Sequence, residues 1–190
     1  MDRIARAATI AAPWGPLELA ATERGLVALE VLAASNAFDA RLEARLVLPV
    51  VRGRGSDPAA AQLNRAIAAV EAFLDGRPAA LEALPLDLRA GRAWDLAVYE
   101  GVRGVGWGRV TSYGRLATAI GRRGAARAVG GAVGRNAVGL AIPCHRVIAG
   151  DGSLGGYGGE WWGSREEHLA VKRWLLEHEG IPVPARFGDD

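Results

Sequence analysis

The run Val138-Gly139-Leu140-Ala141-Ile142-Pro143-Cys144-His145-Arg146-Val147-Ile148 holds the only cysteine of a 190-residue chain and one of its three histidines. An apolar stretch leads in from Val138 to Ile142, and Val147-Ile148 leads out, which predicts a short buried strand interrupted by proline. Pro143 has no N–H to give to a ladder, so the strand is expected to kink or end there. A thiol at such a break is held by rigid backbone and can still face a pocket. A free cysteine is more often a buried structural residue. Its neighbours therefore decide its meaning.

Downstream, Gly150-Asp151-Gly152-Ser153-Leu154-Gly155 has the spacing of a dinucleotide fingerprint. Gly156, Gly158 and Gly159 then follow where a helix should begin at once, so the stretch reads better as a loop wrapping a ligand, with Tyr157 offering a stacking face. Ser164 and Glu167 form a capping-box signature for a last helix that Gly180 closes. Leu169, Lys172, Leu175, Leu176 and Glu179 fall on one side of it. A carboxylate on an apolar face needs a partner, and a histidine or arginine brought near by the fold is expected to provide it.

Upstream, Trp94 to Val102 predicts a helix, Gly108 to Ser112 a short extended piece, and Tyr113 to Ile120 a second helix. Gly121-Arg122-Arg123-Gly124 is a turn, and Ala125 to Val133 a third helix, which together give a helix-turn-helix pattern. The third helix is built of small side chains apart from Arg127. It lacks the polar groups that read base edges in a major groove. Either it presses close to a narrow groove with Arg127 projecting, or it packs tightly against another helix.

Charge is uneven. From Arg89 to Val147 there are ten arginines against only Asp95 and Glu100, although the whole chain carries a formal +2. That concentration is the electrostatic footprint expected for a nucleic-acid partner. Before it, Ala7 to Ala12, Leu17 to Thr22 and Leu26 to Leu32 read as an antiparallel meander. Phe38 to Leu48 reads as a helix. Asp57-Pro58 offers an N-cap to another helix whose Leu63, Ile67, Val70 and Leu74 make one face. Pro85 to Gly91 reads as a connector. A single cysteine excludes an intramolecular disulfide and a multi-cysteine zinc site. No signal-like start and no membrane-length apolar run is present, so a soluble, cytoplasmic protein is expected.

Taken in order, Thr111-Ser112-Tyr113-Gly114, Ala126-Arg127-Ala128-Val129-Gly130, Asn136, Ile142 to Val147, Gly155-Gly156-Tyr157 and Leu175-Leu176-Glu177-His178-Glu179-Gly180 resemble the O6-alkylguanine-DNA alkyltransferases. The likeness is strong over about residues 92 to 181 and looser before, through Gly25 to Leu29 and Pro85-Leu86. It implies an α+β fold: a small N-terminal antiparallel-sheet domain over 1–88, then a mostly helical domain over 89–190 with the helix-turn-helix and the reactive cysteine. It implies single-turnover transfer of an alkyl group from O6 of guanine in duplex DNA, or from O4 of thymine, to Cys144.

The resemblance also assigns roles. His145 and Glu179 become a relay that helps generate thiolate, the attacking species. Neighbours on a strand face opposite ways, so a bridging water is expected between Cys144 and His145. Tyr113 assists proton delivery to the departing guanine, and Arg127 fills the stack as the base flips out. Ala126, Ala128, Gly130, Arg135 and Ser112 lie toward DNA. Tyr157, Gly158, Val147 and Pro143 frame the pocket, and Asn136 braces the turn before the cysteine. No cofactor, no metal, no membrane and a monomer are implied. Two departures stand out. Ala137 replaces a proline, and the segment from Glu160 to His168, with Trp161-Trp162, is longer than in the family's short forms. The competing readings are a non-catalytic lesion binder, against which Cys144 speaks, a helix-turn-helix regulator, and a cysteine hydrolase.

Overall fold

The computed structural model describes residues 4–53, 55–89, 91–158 and 162–183. The chain divides into two compact units, one made of the N-terminal 90 residues with Ala137–Ala141, the other of Gly91–Asn136 and Ile142 onward.

In the first unit the expected meander forms: β1 (Ala5–Ala12), β2 (Gly15–Thr22) and β3 (Gly25–Val31) pair antiparallel. β4 (Val50–Arg52), which the sequence reading missed, adds to β1 in parallel and gives the order β3-β2-β1-β4. Polar chemistry draws it there. Glu18 on β2 is fully buried and accepts from Thr9 Oγ at 2.7 Å, Ser35 Oγ at 2.6 Å and Arg52 Nη2 at 2.7 Å. Arg52 also grips Asp39 of α1 (Ser35–Leu46) with bonds of 2.6 and 2.8 Å. A buried carboxylate paired this way leaves no uncompensated charge.

Helix α2 (Pro58–Leu74) starts as expected, with the Asp57 carboxylate accepting from the Ala60 N–H at 3.0 Å. Its buried face is Leu63, Ala66, Val70 and Phe73, while Ile67 and Leu74 are only half-buried. The buried stripe lies to one side of the expected one because small alanines, which let the helix approach the sheet, carry part of it. A short helix α3 (Ala79–Glu82) follows. The supposed connector then pairs with the sheet: the Leu26 N–H reaches Pro85 O at 2.9 Å and the Asp87 N–H reaches Leu26 O at 2.8 Å. Ala137–Ala141 joins the same unit, with Leu29 N–H to Ala137 O at 2.8 Å and Gly139 N–H to Leu29 O at 3.0 Å.

The second unit holds α4 (Ala93–Arg103), β5 (Thr111–Ser112), α5 (Tyr113–Ala119), α6 (Ala126–Gly134), β6 (Val147–Ile148) and α7 (Arg165–His178). Ser112 caps α5 by accepting from the Arg115 N–H at 3.2 Å. The capping box of α7 is present in both directions, Glu167 N–H to Ser164 Oγ at 3.2 Å and Ser164 N–H to Glu167 Oε2 at 2.7 Å. Its far end is a Schellman closure: Gly180, at φ +76°, donates to Glu177 O, and the Ile181 N–H reaches back to Leu176 O at 2.9 Å. Ile181 packs with Leu176, so α7 stops with Glu179 as its cap residue rather than in a frayed end. No helix among the described residues is long and apolar enough to cross a membrane.

Candidate functional site

The Pro143–Arg146 stretch is a tight turn, not the interrupted strand the sequence suggested. Pro143 at φ −75°, ψ 66° makes an inverse γ-turn, with the Cys144 N–H on Ile142 O at 2.7 Å. Cys144–Arg146 then winds as one turn of 3₁₀ helix, with the Arg146 N–H on Pro143 O at 2.9 Å. Strand geometry resumes only at β6, which pairs in parallel with β5, Thr111 opposite Val147. At about three residues per turn, the three side chains fan out roughly 120° apart instead of alternating between two faces. Cys144 and His145 therefore do not face opposite ways, as they would on a strand.

Asn136 braces the turn as expected. Its amide donates to Ile142 O at 2.9 Å, and its side chain also hydrogen-bonds the Cys144 thiol. Cys144 itself is 4% exposed. Burial pushes its thiol above the usual range, opposed by the Asn136 bond and by the nearby charge of Lys172.

Glu179 finds both kinds of partner at once. Its Oε1 lies 2.7 Å from His145 Nε2, Arg146 Nε donates to Oε2 at 2.9 Å, and the Gly108 N–H donates to Oε2 at 3.1 Å. Arg146, 2% exposed, gives a further bond to Val105 O at 2.5 Å. Burial would raise the Glu179 carboxyl, but the bonds from His145 and Arg146 prevail and hold it below its ordinary value. The imidazole is also shifted down, chiefly by burial, with Arg146 and Lys172 adding to the effect and Glu179 opposing it. The pair is thus carboxylate with neutral imidazole. A carboxylate only accepts, so Nε2 carries the hydrogen and Nδ1 keeps the lone pair. His145 is set up as a base.

Lys172 is fully buried on α7 and spends its ammonium on three carbonyls, Val147 at 2.6 Å, Leu154 at 2.6 Å and Gly156 at 2.9 Å. Burial brings its pKa down from 10.5 to about 8.

A cleft of about 280 Å³ opens above the thiol, lined by Tyr113, Gly130, Val133, Gly134, Cys144, Gly156, Tyr157 and Gly158. The β5–β6 pairing delivers Tyr113 to it. The Tyr113 ring lies between Gly130 and Gly155. Burial raises the pKa of both phenols, Tyr113 against a backbone bond with Gly156 and Tyr157 by a wide margin. Both keep their protons at neutral pH. Pro143 and Val147, expected as pocket residues, do not line the cleft: Pro143 is consumed by the γ-turn, and Val147 is buried in the β5–β6 pair with its carbonyl on Lys172.

The helix-turn-helix pair is present as α5 and α6. Arg127, second residue of α6, is exposed, and among the described residues no carboxylate pairs with it. Ala128 is exposed as well, while Ala126 and Gly130 are half-buried. Arg135 is different. Asp95 holds its guanidinium in a two-bond fork of 3.0 and 2.6 Å. Trp161 lies outside the described residues. Arg146, Lys172 and Asp95 were not anticipated as contributors, nor were Val133, Gly134 and Gly156 in the lining. For Lys172 a signal existed: a charge on the same apolar face as Glu179 also needs partners.

Comparison with known proteins bears on this arrangement. Residues 5–88 match the family model described as 6-O-methylguanine DNA methyltransferase, ribonuclease-like domain, and residues 93–181 match that described as 6-O-methylguanine DNA methyltransferase, DNA binding domain. The methylated-DNA–protein-cysteine methyltransferase of Mus musculus is 37% identical over 184 residues, covering 93% of this chain and 82% of that protein. The Homo sapiens protein of that name is 34% identical over 179 residues, covering 90% and 79%. Among solved structures, Mycobacterium tuberculosis O6-methylguanine methyltransferase aligns with a TM-score of 0.68 at 32% identity, covering 97% of this chain and 96% of that one. The Mycobacterium tuberculosis OGT in complex with DNA aligns equally well, at 30% identity and 96% coverage of each chain.

Proposed function

Because the chain belongs to the 6-O-methylguanine DNA methyltransferase family, whose members repair DNA by moving an alkyl group onto a cysteine, we propose that Cys144 is the acceptor and that O6-alkylguanine in duplex DNA is the donor. The observation that carries this reading is the placement of the only cysteine at the base of the cleft, beside a neutral histidine oriented by a buried carboxylate. The thiol proton passes to His145 Nδ1. The sulfur then attacks the alkyl carbon, the carbon–O6 bond breaks, and its electron pair leaves with guanine. Tyr113 gives a proton to the departing base, and the imidazolium proton restores the phenol through solvent. Nothing resets the thioether, so each molecule acts once. The protein works as a monomer in the cytoplasm.

Intact-protein mass spectrometry after incubation with a duplex containing O6-methylguanine should show one methyl group, mapping to the peptide with Cys144. A Cys144→Ala protein that still gains the methyl would end this assignment. A duplex read by a regulator would leave the mass unchanged, and a hydrolase would turn over a small ester repeatedly.

Arg127 takes the place of the flipped base in this reading. Extruding a stacked base costs a few kcal/mol, and each 1.4 kcal/mol is a factor of ten. Arg127→Ala is therefore expected to slow repair of duplex DNA by roughly 10- to 100-fold while leaving the reaction with free O6-benzylguanine within about threefold of wild type. Equal slowing of both would make Arg127 a structural residue.

A further inference from the structure

The mechanism above leaves one buried polar group beside the cleft unused. His168 is the fourth residue of α7 and closes the segment that is longer than in the family's short forms; it is 4% exposed. Its Nε2–H donates to the Trp162 carbonyl, which leaves Nδ1 on the other side of the ring. That Nδ1 is buried without a hydrogen-bond partner among the described residues, and a buried polar atom left so is costly. The ring is wedged behind the cleft wall. It meets Tyr157 edge-on, with centroids 6.4 Å apart and planes at 62°. A Cβ on Gly158 would lie 2.7 Å from Nδ1 and 2.9 Å from Cε1, so the wall has no slack there. Gly158 also sits at φ +67°, which side-chain-bearing residues avoid.

The rest of the same helix face holds the rest of the loop. Arg165 donates to Gly155 O at 3.4 Å, and Lys172 to Leu154 O and Gly156 O at 2.6 and 2.9 Å. Positions 165, 168 and 172 follow a helical stripe. Two cations therefore hold the loop's carbonyls up to Gly156, and the imidazole backs Tyr157 and Gly158. Those two residues line the cleft over Cys144.

We infer that His168 is a positioning and specificity-determining residue: by backing the Tyr157–Gly158 wall it sets how large an alkyl group can reach Cys144. This rests on the alkyl-transfer reading and adds to it the element that measures substrate size. Trimming the ring gives the wall room to retreat, which favours bulky groups over methyl. Pocket differences of about one carbon change discrimination by roughly 10- to 200-fold, so the expected effect is at the lower end of that range or above.

The test compares single-turnover labelling of Cys144 by duplexes carrying O6-methylguanine or O6-benzylguanine. In His168→Ala the benzyl-to-methyl rate ratio is expected to rise roughly tenfold or more. His168→Gln keeps a donor for the Trp162 carbonyl but not the ring under Gly158, and its ratio should rise similarly. It also decides the matter alone if the alanine protein does not fold. Gly158→Ala should be slow by itself and partly recover when combined with His168→Ala, because the clash is then removed. Ratios unchanged within about twofold in both folded His168 variants would overturn the inference while leaving the alkyl-transfer reading intact. A wild-type protein labelled by neither duplex would overturn both.

Discussion

Glutamine in place of Glu179 is expected to slow alkyl transfer near pH 7 by about a hundredfold, the usual scale for losing a positioned general base. The carboxylate orients the imidazole through a 2.7 Å bond and pairs with the buried Arg146 at 2.9 Å. Without it, His145 keeps the lowering influence of Arg146 and Lys172 but loses the opposing one, and becomes a poorer base still. The thiol is already pushed up by burial from its ordinary value of 9.0, so the variant should regain speed only as pH passes that value and the sulfur ionises unaided. Stability falls too, by about 3 kcal/mol or more, because removing one partner of a buried pair strands the other.

The pH sign follows from the shifts. The Glu179 carboxyl is held below 4.5, so its contribution is present above that pH and lost as pH falls through the folded value. His145, held below 6.5, adds acid sensitivity of the same sign, since the unfolded chain takes a proton there that the folded ring refuses. The stability advantage of wild type over Glu179→Gln should shrink on acidification. Single-turnover rates from about pH 6 to 10, with urea unfolding at each pH, measure both effects. Transfer by a folded Glu179→Gln protein that tracks wild type throughout would leave Glu179 a mere helix cap.

Methionine at position 172 should have the next largest effect. It matches the length of the lysine stem but leaves Val147 O, Leu154 O and Gly156 O without their donor. Each stranded buried carbonyl costs on the order of 1 kcal/mol or more, partly offset because no charge is buried any longer; a net loss of about 3 kcal/mol is expected. The thiol also loses a nearby positive charge and should ionise at higher pH. Titration separates this from simple unpacking. The folded lysine gives up its proton near 8 and the unfolded one near 10.5, so wild-type stability should rise with pH across that window. Lys172→Met should lack that rise. Parallel stability curves for the two proteins would show that the ammonium is not buried as described.

What the sequence made legible was local. The meander, the Asp57 cap and the capping box of α7 each depend on residues a few positions apart, and all three formed. Glu179 declared its need for a partner by sitting among leucines, and the structure supplies both a histidine and an arginine. The Cys144 turn was misread because an apolar run beside proline looks the same whether it continues as a strand or curls into a γ-turn and 3₁₀ helix; only the backbone angles of Pro143 separate the two. Arg146 and Lys172 were overlooked for a different reason. Charged side chains are read as solvent-facing unless a partner is visible, and these partners are Glu179, 33 residues from Arg146, and three backbone carbonyls, which sequence does not display. β4 was invisible because its pairing is parallel and non-local.

Between Asn136 and Ile142 the polypeptide makes a detour whose cost falls on anyone who would cut the gene. Five residues, Ala137–Ala141, belong to the N-terminal unit and are stitched to it through both backbone groups of Leu29. A clone starting at residue 91 would carry that thread with nothing to sew it to, and Val138, 2% exposed in the whole chain, would lie bare six positions before the cysteine. No single break in the coding sequence releases the two units intact. The C-terminal unit expressed alone would differ from that unit in the whole chain, and truncation should not be used to assign activities to halves.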